Sequence, residues 1–339
     1  DKLAAARFDD PSGHKSDTWL VSASSWALGV TSRLLHPGDT PQSILSSLVK
    51  RMGMPTVRVA TRKAMTLLGH QFVLGETIDK ALERAKAQEA KGYRYSYDML
   101  GEGARTAKDA ERYFQSYANA IEAIGKSAGD EDLPNRPGIS VKLSALHPRY
   151  EAVNGERVRD ELLPKLRDLV QMAKDRNLNF TVDAEEADRL EISLDVIAAL
   201  LADPVTEGWD GFGLAVQAYQ KRGADVIDWL VGAARKTGRK LMVRLVKGAY
   251  WDTEIKRAQE DGVDGYPVFT RKAATDLSYL CCAKRMLAAR DVLYPQFATH
   301  NALPVAQIIE LAGGSCEGYE FQRLHGMGES LYKSVCERD

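Results

Sequence analysis

The run Leu241-Met242-Val243-Arg244-Leu245-Val246-Lys247-Gly248-Ala249-Tyr250-Trp251 decides how this 339-residue chain is read. Its first half is apolar and rich in aliphatic residues, the pattern of a buried parallel strand. Arg244 interrupts that pattern. An unpaired charge inside such a strand is costly, so Arg244 must meet a polar or anionic partner. Gly248, just beyond the strand, lets another backbone or a flat ligand come close, and Tyr250 and Trp251 flank the opening. The stretch reads as one wall of a ligand site.

Working outward, strand and helix patterns alternate from Tyr93 onward. Strands are predicted at 94–99, 138–146, 179–184, 211–218, 240–246, 296–299 and 320–324. Amphipathic helices are predicted at 107–126, 155–176, 193–201, 224–236, 270–289 and 304–311. Seven βα units in series point to a (β/α)8 barrel of TIM type rather than a doubly wound sheet, and no G-x-G-x-x-G follows any of the strands. The chain ends at Asp339 within or just after a seventh helix, which leaves an eighth strand and helix outside the sequence. Residues 1–90 carry no strand pattern. Helices expected at 41–52, 56–68 and 77–91 make this region a helical arm or cap, with the barrel at 91–339.

In a barrel of this kind the ligand site lies at the C-terminal ends of the strands. Those ends deliver Asp98 and Glu102, Lys142, Asp183 with Glu185, Gln217 with Tyr219, Arg244 with Lys247, His300 with Asn301, and Gln322 with His325. Lys142, Asp183 and Arg244 sit inside apolar strands. Neighbouring strands lie about 4.8 Å apart, so Lys142 and Asp183 can pair or share a ligand. Lys142 and Lys247 are also candidates for a Schiff-base lysine. Thr270, Arg271 and Lys272 open a helix and offer free N–H groups and two cations to a phosphate. With Arg244 and Lys247 they suit a ligand with a planar head and a pyrophosphate tail. The six histidines are scattered without a metal-binding spacing, so no metal site is expected.

Composition fits a globular protein, with 44% hydrophobic and 27% charged residues. The net charge of −1 gives no electrostatic reason to expect nucleic acid or an anionic membrane as partner. Cys281, Cys282, Cys316 and Cys336 form no CxxC pair and read as reduced cysteines of a cytoplasmic protein.

Six segments then carry a resemblance: Val141-Lys-Leu-Ser-Ala-Leu146, Asp183-Ala-Glu-Glu186, Gln217-Ala-Tyr-Gln220, Arg244-Leu-Val-Lys-Gly-Ala-Tyr-Trp-Asp252, Ala298-Thr-His-Asn301 and Leu324-His-Gly-Met-Gly-Glu329. Together they resemble the proline dehydrogenase domain of bacterial proline utilization A. The resemblance implies a distorted (β/α)8 barrel that binds FAD. It also implies oxidation of L-proline to Δ1-pyrroline-5-carboxylate, with electrons passed to ubiquinone or menaquinone. Arg244, Lys142 and Asp183 then take catalytic places, with Arg244 near flavin N5. Lys142 meets the substrate carboxylate, Leu245 and Tyr250 pack on the substrate ring, and Glu102 lies at the pocket mouth. The implied cofactor contacts are Gln217, Arg244, Val246, Lys247, Gly248, Tyr250 and Trp251, with Thr270, Arg271, Lys272, Thr299, His300 and Asn301. Hydride transfer needs positioning rather than a nucleophile, so the Schiff-base reading falls away.

The implied partners are L-proline or a proline-analogue inhibitor, a quinone, and an aldehyde dehydrogenase module in the same polypeptide. No nucleic acid is expected through this segment. The expected location is cytoplasmic, with only peripheral contact to the inner face of the bacterial membrane. The family's last helix carries an Arg-Arg pair that clamps the proline carboxylate, and no Arg-Arg pair occurs here. A chain genuinely lacking that helix is expected to keep FAD and lose proline affinity, which makes a flavin-binding barrel without turnover the alternative. A methylenetetrahydrofolate-reductase-like barrel is a further alternative, distinguished by the open groove a folate needs.

Overall fold

The computed structural model describes Gly69, residues 72–101 and residues 103–337. The helices expected at 41–52 and 56–68, most of the expected arm, and Glu102 lie outside the described residues. The chain divides between Gly69 and His70, and the architecture below is that of the second unit.

Seven strands build it: β1 Ser96–Asp98, β2 Gly138–Val141, β3 Asn179–Val182, β4 Phe212–Gln217, β5 Leu241–Val246, β6 Leu293–Ala298 and β7 Glu320–Gln322. They pair in sequence order, every neighbour parallel. Parallel neighbours need a crossover between them, and right-handed crossovers place the helices on one side, so the sheet curls into a half-barrel. The helices are α1 Ile78–Glu89, α2 Ala107–Ser127, α3 Leu143–Leu146, α4 Gly155–Asp175 and α5 Leu190–Ala202. There follow α6 Gly223–Thr237, α7 Trp251–Glu260, α8 Lys272–Ala288, α9 Ala302–Leu311 and α10 Glu329–Cys336.

Local chemistry explains their limits. Thr106 and Asp109 form a reciprocal capping box at the start of α2. Gly238, at φ +64°, ends α6 in the left-handed conformation that glycine adopts without strain. The inner helix faces bury Tyr117, Ile121 and Ile124 of α2 and Leu162, Leu166 and Leu169 of α4 against Ile139, Phe180 and Phe212. Ala81 and Ala85 of α1 belong to the same core, so a boundary near residue 90 divides elements that pack together.

The second strand is shorter than its sequence suggests. It stops at Val141, and Leu143–Leu146 turns into α3 because backbone polar groups find partners there. Ser144 N–H donates to Glu185 Oε1 at 3.0 Å, and the Ser144 carbonyl accepts from Ala104 N–H at 2.8 Å. β6 begins at Leu293 rather than Gln296, with Pro295 in register with Val243. The seventh helix expected at the end of the sequence is α10, whereas α7 was not expected; α7 has no side-chain N-cap hydrogen bond, which removes the usual start signal.

Candidate active site

Alternation along the strands turns Arg244 to the barrel interior. Its guanidinium crosses the lumen to four other strands or strand ends. Nε donates to Gln322 Oε1 at 2.7 Å, and Nη1 donates to Ser140 Oγ at 2.9 Å and Asp183 Oδ1 at 3.0 Å. Nη2 donates to Ser96 Oγ at 2.9 Å. A guanidinium carries five N–H groups, so four are engaged and one on Nη2 remains. Because Arg244 ties β1 to β7 through Ser96 and Gln322, its orientation is set by the curl of the whole sheet.

Asp183 bridges two cations. Its Oδ2 accepts from Lys142 Nζ at 3.1 Å, and Lys142 also donates to Asp98 Oδ1 at 2.9 Å. The side chains of Lys142, Asp183 and Arg244 are only 13–14% exposed, whereas that of Asp98 is 44% exposed. Burial by itself lowers the Lys142 pKa, but Asp183 and Asp98 outweigh it and hold the ammonium well above the ordinary lysine value. Asp98 is raised above the usual carboxylate range by burial and by Asp183, with Lys142 and Arg244 opposing. Two acids thus face two cations, a balanced cluster in which Lys142 directs its three N–H groups to Asp98 and Asp183 while Arg244 keeps one unspent.

A second set of contacts fixes this wall from behind. Glu185 accepts from Ser144 N–H and from Arg189 Nη1. Its burial raises its pKa against those two influences. Gln217 Nε2 donates to the Glu185 carbonyl at 2.7 Å while its Oε1 accepts from Ala249 N–H at 3.1 Å. Gln217 therefore pins the segment after β5 to the segment after β3. Gly248 sits at φ +140°, and a Cβ there would lie 2.3 Å from Tyr219 Cδ1. The group that comes close to this glycine is the Tyr219 ring.

Beyond β5, Lys247 is ion-paired with Asp276, which also accepts from Lys272 Nζ at 2.5 Å. Arg271 is the N-cap of α8 and gives it no side-chain hydrogen bond. Two cations thus meet one carboxylate in the first turns of a 17-residue helix whose N-cap is a third, Arg271, a donor set that suits a diphosphate. Trp251 Nε1 donates to the Phe269 carbonyl at 2.9 Å and leaves its side chain 42% exposed at the same rim. His300 and Asn301 are engaged by the protein. His300 Nε2 accepts from Leu324 N–H at 2.9 Å, and Asn301 Oδ1 caps α9 through Leu303 N–H at 3.0 Å. Burial and Arg323 lower the His300 pKa, which keeps Nε2 in the unprotonated form that this bond needs.

The structure brings Lys142, Asp183 and Arg244 into one cluster, and places Lys247 and Lys272 on one carboxylate. Leu245 is fully buried in the apolar core, on the face of β5 opposite Arg244. Contact with a substrate ring is therefore not assigned to it. Tyr250 is half-buried beside Tyr219, whose hydroxyl accepts from Tyr250 N–H at 3.3 Å. The expected site set omitted Ser96, Ser140, Gln296, Glu320 and Asp276. Among these, the seryl and glutaminyl positions carry the interior alternation of their strands, which was the available signal. Among the described residues no group of three or more His, Cys, Asp or Glu is placed to hold a metal ion.

A parallel α/β barrel with buried ionisable groups converging at the C-terminal strand ends is the architecture of a barrel enzyme. Residues 81–339 match the family model described as proline dehydrogenase, and residues 1–72 match the one described as the DNA-binding domain of proline dehydrogenase. The chain belongs to the proline dehydrogenase family. It is 50% identical over 339 residues to bifunctional protein PutA of Escherichia coli (strain K12), covering 99% of this chain and 26% of that protein. It is 27% identical over 275 residues to proline dehydrogenase 1 of Bacillus subtilis (strain 168), covering 80% and 78%. The crystal structure of a mutant proline utilization A from Bradyrhizobium japonicum matches with a TM-score of 0.78 and 66% identity, over 90% of this chain and 31% of that one. That of proline utilization A from Bdellovibrio bacteriovorus, inactivated by N-propargylglycine, matches with a TM-score of 0.81 at 28% identity, over 88% and 32%. The chain spans about a quarter of the length of the PutA relatives it matches. The match at residues 1–72 also removes the ground for expecting no nucleic acid contact through that part of the chain.

Proposed function

We propose that this chain oxidises L-proline to Δ1-pyrroline-5-carboxylate using FAD, with a quinone as final acceptor. The observation that carries the reading is the clamped Arg244, with one Nη2–H unspent, beside a buried Lys142 ammonium. FAD, when bound, supplies a two-electron acceptor for a hydride. The residues present suit it: Lys247, Arg271 and Lys272 for the diphosphate, and Trp251 and the half-buried Tyr250 as aromatic surface.

In this reading a hydride leaves the ring carbon beside the amine, a proton leaves the nitrogen, and a C=N bond forms. Lys142 holds the substrate carboxylate by charge, its own proton secured by Asp183 and Asp98. Arg244 presents a fixed positive charge to electron density that grows during transfer, with no reorganisation required at that moment. Asp183 keeps both cations in place. Glu102 as a substrate contact and Thr270, Thr299, His300, Asn301, Val246, Gln217 and Gly248 along the cofactor complete the assignment.

An aldehyde dehydrogenase module in the same polypeptide would act on the product once water has opened the imine to the aldehyde, an arrangement in keeping with bifunctional relatives. A cytoplasmic location with peripheral membrane contact suits a quinone acceptor. No described helix is long and apolar enough to cross a membrane. The test is conversion of L-proline by the full-length protein with a soluble quinone, with the imine product identified by mass spectrometry. Product formation that Arg244→Lys lowers by about tenfold or more supports the reading. A protein that holds flavin but forms no product with any quinone refutes it.

A further inference from the structure

Glu320, on β7, shares an interior layer with Arg244, since the register runs Arg244, Gln296, Glu320 across β5, β6 and β7. Its Oε1 accepts from Gln296 Nε2 at 2.9 Å and from Gln322 Nε2 at 2.7 Å. Gln322 passes the contact on, because its own Oε1 accepts from Arg244 Nε at 2.7 Å. One atom does not fit an ionised Glu320. Oε1 of the buried Gln296 has no hydrogen-bond partner, and a carboxylate has no hydrogen to offer it. A neutral carboxylic acid facing a primary amide bonds both ways, its carbonyl accepting from the amide N–H and its hydroxyl donating to the amide oxygen.

We propose that Glu320 is carried as the neutral acid and is the positioning residue for Arg244. Its hydroxyl partners Gln296, and its carbonyl holds the Gln322 amide with the oxygen turned to the guanidinium. Charge balance argues the same way. Asp98 and Asp183 already offset Lys142 and Arg244, so an ionised Glu320 would make the cluster net negative where a carboxylate substrate must approach. Burial raises the Glu320 pKa, outweighing the opposing influence of Gln322, Arg244 and Gln296. The charged and titratable groups facing it are Arg244 from β5 and Tyr294 from β6.

The kinetic part of the test rests on the proline-oxidising reading, and the spectroscopic part does not. In the full-length protein at neutral pH, the infrared difference between wild type and Glu320→Gln should contain a carboxylic-acid carbonyl band above the amide I region. Its absence overturns the proposal. Glu320→Ala should lower kcat/KM for proline by about tenfold, the scale of one lost hydrogen bond to a charged group. Glu320→Gln, which keeps a carbonyl and a donor in the same places, should lose no more than about twofold on that scale. Equal losses in both variants, or a Gln variant that does not fold, also overturn it. If the wild type does not turn over proline, the functional reading fails and the infrared band still decides this proposal.

Discussion

Asp183→Ala tests the electrostatic core of the site. The substitution removes the bridge between Lys142 and Arg244 and leaves two cations, each 14% exposed, with less compensation. Breaking a buried ion pair from one side costs ~3–5 kcal/mol. Lys142 keeps Asp98, and Arg244 keeps Ser96, Ser140 and Gln322. The cost therefore falls at the low end, ~3 kcal/mol, or about two powers of ten in the folding equilibrium. Urea denaturation followed by fluorescence should show a lower midpoint for the cooperative unit at unchanged slope.

Asp98→Ala supplies the control. Asp98 is 44% exposed, and an exposed pair is worth under ~1 kcal/mol. The raised pKa of Lys142 fixes the pH window. A base whose folded pKa lies above its unfolded value stabilises fully below the unfolded value, 10.5, and that contribution is lost only as pH rises through the higher folded value. Wild-type stability from this group should thus be flat across the neutral range. An Asp183→Ala deficit within ~0.5 kcal/mol of the Asp98→Ala deficit would refute the reasoning, because it would mean the cluster is solvated like a surface pair.

Other perturbations probe the surrounding parts. His300, with its folded pKa below 6.5, binds its proton more weakly folded than unfolded, so its contribution to stability is lost as pH falls below 6.5. Denaturation curves of His300→Gln should lack that component, and wild-type and variant stabilities that run parallel with pH would contradict it. Gly248→Ala combines a φ of +140° with a Cβ placed 2.3 Å from the Tyr219 ring, and should cost ~3 kcal/mol in a urea melt. An unchanged midpoint would show that Tyr219 yields freely. Removing Lys247 and Lys272 together should weaken FAD binding to the apoprotein by about tenfold or more, measured by flavin fluorescence quenching. Unaltered affinity would move the diphosphate elsewhere.

Much of this site could be read from sequence because buried charge is rare and demands explanation. Lys142, Asp183 and Arg244 stand out among apolar neighbours, and the structure places them within hydrogen-bonding reach. The strand count was legible because each parallel strand needs a helical return, which spaces the apolar runs regularly. What stayed hidden was the role of residues whose meaning depends on pairing. Ser96, Gln296 and Glu320 look like ordinary polar strand residues until the curl brings β1 and β7 to Arg244. Gln217 and Asn301 were read as ligand contacts, and their side chains also pin one loop and cap one helix, roles that sequence spacing does not separate. The early end of β2 was unreadable because it is set by Glu185, 41 residues away along the chain from Ser144.

The central claim is that the Arg244–Asp183–Lys142 cluster receives proline beside a bound flavin. The most direct measurement is the visible spectrum of the purified full-length protein during an anaerobic titration with L-proline. The account predicts a flavin band that bleaches in proportion to proline added, and that persists in Lys142→Ala at the same concentrations. A preparation without a flavin band, or a band that proline does not bleach in the wild type, would contradict it.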